Sequence, residues 1–170
     1  MAGLKIVGMT VGAAVLYGIL HDQVTARICL EYFTIGHPRV MESESPTLLA
    51  LYWGVAATWW VGLPAGVLLA ISARVGREPR RGARDLLRPL GVVLVSMALL
   101  ALGAGGTGYA LARSGHLRLL PPLALQVPPE RHPAFLADLW AHLASYAAAA
   151  LGTLLLCLHT AWRRFRPEGT

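Results

Sequence analysis

The sequence predicts an all-α integral membrane protein, a four-helix bundle in one transmembrane domain over residues 1–170 with both termini cytoplasmic. Three observations lead there. Apolar residues make up 55% of the chain and charged ones only 14%, with mean hydropathy +0.54, whereas a soluble domain carries about 25% charged residues. The apolar residues gather in runs that meet the roughly 20-residue requirement of a spanning helix. The basic residues sit at the ends of those runs, unequally divided between them. A chain so poor in charge is neither disordered nor an ordinary water-soluble globule.

The first span is predicted over 4–23, from the apolar run Leu4 to Leu20, and a polar but helix-compatible extension follows over 24–36. A secretory leader cleaved near Val24-Thr25-Ala26 is the alternative, and the thin basic flank speaks against it. The second span covers 47–73, where Thr47 to Ala73 holds no charged side chain, and the third covers 90–112, equally free of charge. The fourth covers 134–160 and is interrupted by Asp138, His142 and His159. Pro46, Pro89 and Pro133 mark the starts of the last three, since proline lacks an N–H that the first turn would leave unpaired. Gly8/Gly12 and Gly62/Gly66 form GxxxG pairs suited to close helix approach, and Pro64 is expected to kink the second span.

Orientation follows from the arginines, since basic loops stay cytoplasmic. The loop 74–89 carries Arg74, Arg77, Arg80, Arg81, Arg84 and Arg88 against Glu78 and Asp85, and the tail carries Arg163, Arg164 and Arg166. The opposite side, with the Pro-rich loop 113–133, has only Arg27, Arg39, Arg113, Arg118 and Arg131. Four spans with both ends inside fit this distribution. Lys5 is the sole lysine and asparagine is absent, a composition expected of a GC-rich bacterial gene and of the bacterial inner membrane. The net charge of +6 flanks the spans and forms no aromatic-interleaved patch, so nucleic acid is excluded as a partner. Membrane lipids, a second copy or a partner membrane subunit are the expected partners.

Ionisable residues inside a membrane are costly and point to function. The second and third spans have none, while the first and fourth hold nearly all. The predicted topology brings the end of span one, His21 to Pro38, to the same exoplasmic face as the start of span four, Glu130 to His142. At 100° per residue, His142 and Ser145 lie within about 40° of Asp138 on one helix face. Asp138 can share a metal with His142, orient its ring by hydrogen bond, or simply bind a neighbouring helix. On span one, His21 and Thr25 share a face, and Arg27 and Glu31 have the spacing of a helical ion pair.

The candidate metal ligands are His21, Asp22, Glu31, His37, Asp138 and His142, with Glu31 and Asp138 as acid/base groups. Imidazole and carboxylate without paired thiols suit zinc, iron, manganese or copper. Arg27 and Arg131 are candidates for holding an anionic head group. A b-type haem between His21 and His142 is a further possibility, weakened by their apparent difference in depth. The serines lack a nucleophile-elbow context, the glycines follow no strand as a nucleotide loop would, and Cys29 and Cys157 lie too far apart to pair.

The segment HDQVTARICLEYFTIGHP from His21 to Pro38, with DLWAH from Asp138 to His142, resembles an HDxxTxRxxxEYFxxxHP-like signature of small multi-pass bacterial membrane proteins. The resemblance implies the membrane architecture and carries no activity, cofactor or partner. The reading reached from the residues is a metal-dependent membrane enzyme, hydrolytic or oxidative, acting on a lipidic or amphiphilic substrate. The alternative is a non-catalytic subunit or small proton-coupled transporter whose polar cluster is structural or relays protons.

Overall fold

A computed structural model describes residues 1–76 and 78–165. Seven α-helices are present among them and no strand: α1 (Ala2–Ile28), α2 (Leu30–Thr34), α3 (Pro46–Ala56), α4 (Trp59–Arg74), α5 (Ala83–Arg113), α6 (Leu123–Gln126) and α7 (His132–Phe165). Four helical stretches are long and apolar enough to cross a membrane: α1, α3 with α4, α5, and α7 with the 3-10 turn before it. The all-α four-helix bundle expected from the sequence is therefore the observed fold. Arg77 and Arg166, which count toward the basic flanks, lie outside the described residues.

The element boundaries carry local reasons. Ser45 caps α3, its hydroxyl accepting the Leu48 N–H at 3.4 Å with Pro46 in the first turn. α7 begins at His132 with Pro133 in its first turn. α5 differs from expectation: it starts at Ala83 rather than at Pro89, and Asp85 Oδ2 holds the Gly82 N–H at 2.7 Å just ahead of it. Pro89 lies inside that helix. The expected extension of the first span is interrupted at Cys29, whose backbone is extended (φ −143°, ψ 98°), so α2 leaves in a new direction. The second span breaks at Ala57 and Thr58, ahead of Pro64, where the Thr58 hydroxyl turns back onto the Gly54 carbonyl.

α1 packs along α3 and α4, α5 along α7, and α4 against α7 joins the two pairs. Glycine permits the first contact. A Cβ on Gly54 would lie 2.5 Å from the Ile19 backbone, and Gly62 and Gly66 would meet Val11 Cα and Val7 Cα at 2.9 Å. Gly8 and Gly12, the other GxxxG pair, face open space and pack against nothing within 4 Å.

Two apolar clusters lie at opposite ends of the bundle. One gathers Ile6, Leu69, Leu86 and Leu156, by the start of α1 and the later turns of α7. The other gathers Cys29, Phe33, Leu49 and Phe135 beneath the loop 114–131, which is packed down by Leu119 and Val127. Arg164 is buried at the first end and donates to the carbonyls of Ser72, Val75 and Pro79, closing the exit of α4. Between the two clusters lies a polar layer.

Candidate metal centre

The layer is assembled by α1 and α7. Asp22 is buried on α1, one residue after His21, and His142 is buried on α7. His142 is held at both nitrogens: Nδ1 lies 2.7 Å from the Asp138 carbonyl oxygen, and Nε2 lies 3.2 Å from Asp22 Oδ1. A carbonyl oxygen only accepts, so Nδ1 carries the proton and a neutral ring turns the Nε2 lone pair toward Asp22. His21 stands edge-on to His142, ring centroids 4.5 Å apart, and its buried Nε2 has no hydrogen-bond partner among the described residues. One donor atom each from His21, Asp22 and His142 falls within 4.8 Å of the others.

His37 completes the wall. Its Nδ1 lies 2.8 Å from the Tyr32 carbonyl, which leaves Nε2 as the lone-pair nitrogen. Its ring stacks on Phe33 and packs against Trp53. Burial holds this imidazole below its ordinary range, against the opposing effect of the Tyr32 hydrogen bond. His21, Asp22, His37 and His142 line one small cavity of about 70 Å³. The same cavity receives the Tyr17 and Ser145 hydroxyls, bonded to each other at 2.8 Å, and Trp53, whose buried Nε1–H has no partner among the described residues.

His21, Asp22 and His142 form a group that could hold a metal ion. Ligand bonds of about 2.0–2.2 Å put neighbouring donors of a tetrahedral shell roughly 3.3–3.6 Å apart. The 3.2 Å between His142 Nε2 and Asp22 Oδ1 lies just under such an edge, while the three ligand atoms together span up to 4.8 Å. The backbone carbonyls behind His142 and His37 do what outer partners of metal-bound histidines do, fixing the tautomer and the ring plane.

Other sequence candidates lie elsewhere. Glu31 is bound by Arg131 Nε at 3.1 and 3.0 Å and by the Cys29 thiol at 3.3 Å. Although burial opposes it, hydrogen bonds from its own backbone N–H, Cys29 and Arg131 hold the Glu31 carboxyl below its ordinary range. Arg131 also donates to the Ile28 carbonyl at the α1 break, so it ties the loop to the bundle. The break at Cys29 removes the helical register between Arg27 and Glu31, and their expected pairing is not formed. Arg27 instead bonds Gln23 O and Oε1 and the Thr47 hydroxyl. Burial, reinforced by Glu31, pushes the Cys29 thiol up to about 12.

Asp138 reaches the centre through its backbone, not its carboxylate. The side chain is 1% exposed, and neither oxygen has a hydrogen-bond partner among the described residues. The backbone N–H of Cys29 is turned toward it but already donates to Thr25 O at 2.9 Å. The expected orienting bond from this carboxylate to His142 is absent, because a ring at i+4 on the same helix meets the carbonyl first. His132 donates to the Val127 carbonyl and belongs to the loop.

The depth difference expected between His21 and His142 does not exist; their rings touch. A haem still does not fit between them, since centroids 4.5 Å apart leave no room for a macrocycle and its two axial bonds. Sequence reasoning missed Tyr17, Trp53 and Tyr146 as parts of the wall. Tyr17 and Tyr146 stand four residues from His21 and His142, and that helical spacing is the signal that would have found them.

Beside the centre lies an apolar groove of about 500 Å³ between α1, α5 and α7, and Tyr17 and His21 line both spaces. Small residues such as Ala101, Gly105 and Ala141 form its walls. Comparison with protein-family models, curated proteins and solved structures gave no match.

Proposed function

We propose that this is a metal-dependent membrane enzyme whose centre is held by His21, Asp22 and His142, with His37 as the fourth ligand. The observation that carries the proposal is the convergence of acceptors. One ligand atom each of His21, Asp22 and His142 lies within 4.8 Å of the others, and the buried His21 Nε2 has no partner among the described residues. A doubly protonated His142 would satisfy Asp22 but would leave His21 Nε2 unpaired; a cation satisfies all three. The donor set suits zinc, iron, manganese or copper. Such an ion, when bound, supplies Lewis acidity and an activated water or an oxidising centre.

The chain's own residues perform the rest. Asp22 and the three imidazoles hold the cation, and the carbonyls of Asp138 and Tyr32 keep the His142 and His37 rings oriented. The Trp53 N–H and the Tyr17–Ser145 hydroxyl pair are the donors available to a polar substrate group. The adjoining groove supports a lipidic or amphiphilic substrate, since a hydrocarbon chain can lie there while its polar end reaches His21 and Tyr17. The arginines of the α4–α5 connection and of the α7 end share the side of both termini, which supports a cytoplasmic location for that side and an exoplasmic one for the centre. A bacterial inner membrane is the compartment this reading implies.

Elemental analysis of the detergent-purified protein beside His142→Ala tests the proposal. Stoichiometric metal in the parent and its loss in the folded variant are expected. Parent protein that stays metal-free after incubation with zinc, iron, manganese and copper salts would overturn it, leaving the cluster as a proton relay or an assembly contact of a non-catalytic subunit.

A further inference from the structure

At the end of the bundle opposite the metal centre, a second groove of about 370 Å³ runs between the start of α5 and the end of α7. Its rim carries Arg81 and Arg88 from one side and His159 and Arg163 from the other. Among the described residues these three guanidinium groups have no carboxylate partner. One carboxylate, Asp85, also lines the groove and accepts the Gly82 N–H at 2.7 Å, and the neighbouring Glu78 is engaged with Arg80 and its backbone N–H. Below the rim the wall becomes apolar at Leu86, Pro89 and Val92. The groove thus has a cationic mouth at the level where two spanning helices end and an apolar floor toward the bilayer.

We propose that this groove binds the phosphodiester head group of an anionic membrane lipid, with an acyl chain along Val92. Guanidinium forks match phosphate oxygens in pairs, and basic pockets between spanning helices hold anionic head groups. The apolar floor selects a lipid over a free anion, because a bare phosphate has nothing to place against Val92. The site needs the helices to span a membrane, but not the metal centre, so either can fail alone.

The test is native mass spectrometry of the full chain in detergent with dioleoylphosphatidylglycerol, dioleoylphosphatidylcholine or inorganic phosphate. Phosphatidylglycerol should be retained over phosphatidylcholine, and Arg88→Gln with Arg163→Gln should lower that preference about 25-fold, since each interfacial arginine contributes about a fivefold factor. Arg113→Gln with Arg118→Gln, at the other end, should leave it unchanged. Val92→Trp, which narrows the floor without touching a charge, should also lower phosphatidylglycerol retention, and it decides the matter if the double arginine variant does not fold. Equal retention of both lipids overturns the proposal, as does retention indifferent to Arg88, Arg163 and Val92. Displacement of the lipid by millimolar phosphate would also overturn it and assign the groove to a soluble anion.

Discussion

His142 and Asp22, 120 positions apart, meet nitrogen to oxygen at 3.2 Å in the interior of the bundle, while the other nitrogen of the same ring is committed to the Asp138 carbonyl. The pairing leaves two acceptors facing one another unless something positive lies between them. Whatever occupies that position, a proton or a metal ion, is thereby bound to α1 and α7 at once.

Asp22→Asn separates the two occupants. An amide can donate to a neutral Nε2, so the metal-free protein should keep its unfolding midpoint within a few degrees. Metal affinity should fall by more than the roughly 10–100-fold that loss of an outer supporting group costs, since a direct ligand is removed. Titration of the apo protein with zinc, read beside thermal unfolding in detergent, checks both. Undiminished zinc affinity would remove Asp22 from the centre.

Asp138→Asn probes the neighbouring carboxylate. Its oxygens lack partners in a buried setting, and burying an unsatisfied polar group costs about 1–3 kcal/mol. The substitution should leave metal content intact, because the carbonyl that orients His142 is untouched, and should not destabilise the fold, because the carboxylate has no hydrogen bond to lose. A variant that loses its metal would show that the carboxylate itself is a ligand.

The Glu31–Arg131 pair should make stability depend on acid. The folded-state pKa of Glu31 lies below its ordinary 4.5, so the carboxylate stabilises the fold above that value and loses the effect as pH falls through and below it. Side-chain exposures of 24% for Glu31 and 37% for Arg131 admit solvent, which keeps the contribution to about 0.5–1 kcal/mol. Unfolding midpoints measured from neutral pH downward should fall more steeply for the parent than for Glu31→Gln. Parallel curves would mean the pair contributes nothing.

Two glycines should respond in opposite ways. Gly54→Ala drives a methyl into the α1 backbone at 2.5 Å, where neither helix can yield without separating, and should lower stability by about 2 kcal/mol or more. Gly12→Ala enters open space and should be neutral or stabilising by up to about 1 kcal/mol through helix propensity. Unfolding in detergent measures both. A tolerated Gly54→Ala would show that the α1–α3 crossing is looser than described.

The two GxxxG pairs are indistinguishable in sequence, yet only Gly62 and Gly66 lie at a helix contact within the chain. Spacing records that a helix has a small-residue face; which face meets a neighbour depends on the rotation of every helix in the bundle. The same limit explains the candidate site. His21, Asp22 and His142 could be proposed from residue type and from the side of the bundle they reach. That Glu31 pairs with Arg131 rather than with Arg27 could not, because the break at Cys29 removes the helical register from Arg27.

What the sequence determined by itself is the architecture that solvent dictates. Four predominantly apolar runs exclude water along most of their length, so helices with internally paired backbones form there, and the scarce ionisable residues concentrate in the first and last of them. What only the tertiary structure decided is which polar atoms face one another. That depends on helix rotation, on breaks at Cys29 and at Ala57–Thr58, and on glycine contacts that set interhelical distances within a few tenths of an ångström. Hydropathy is a property of runs and survives such shifts. A coordination shell is a property of single atoms, and a rotation of one helix by a fraction of a turn is enough to make or unmake it.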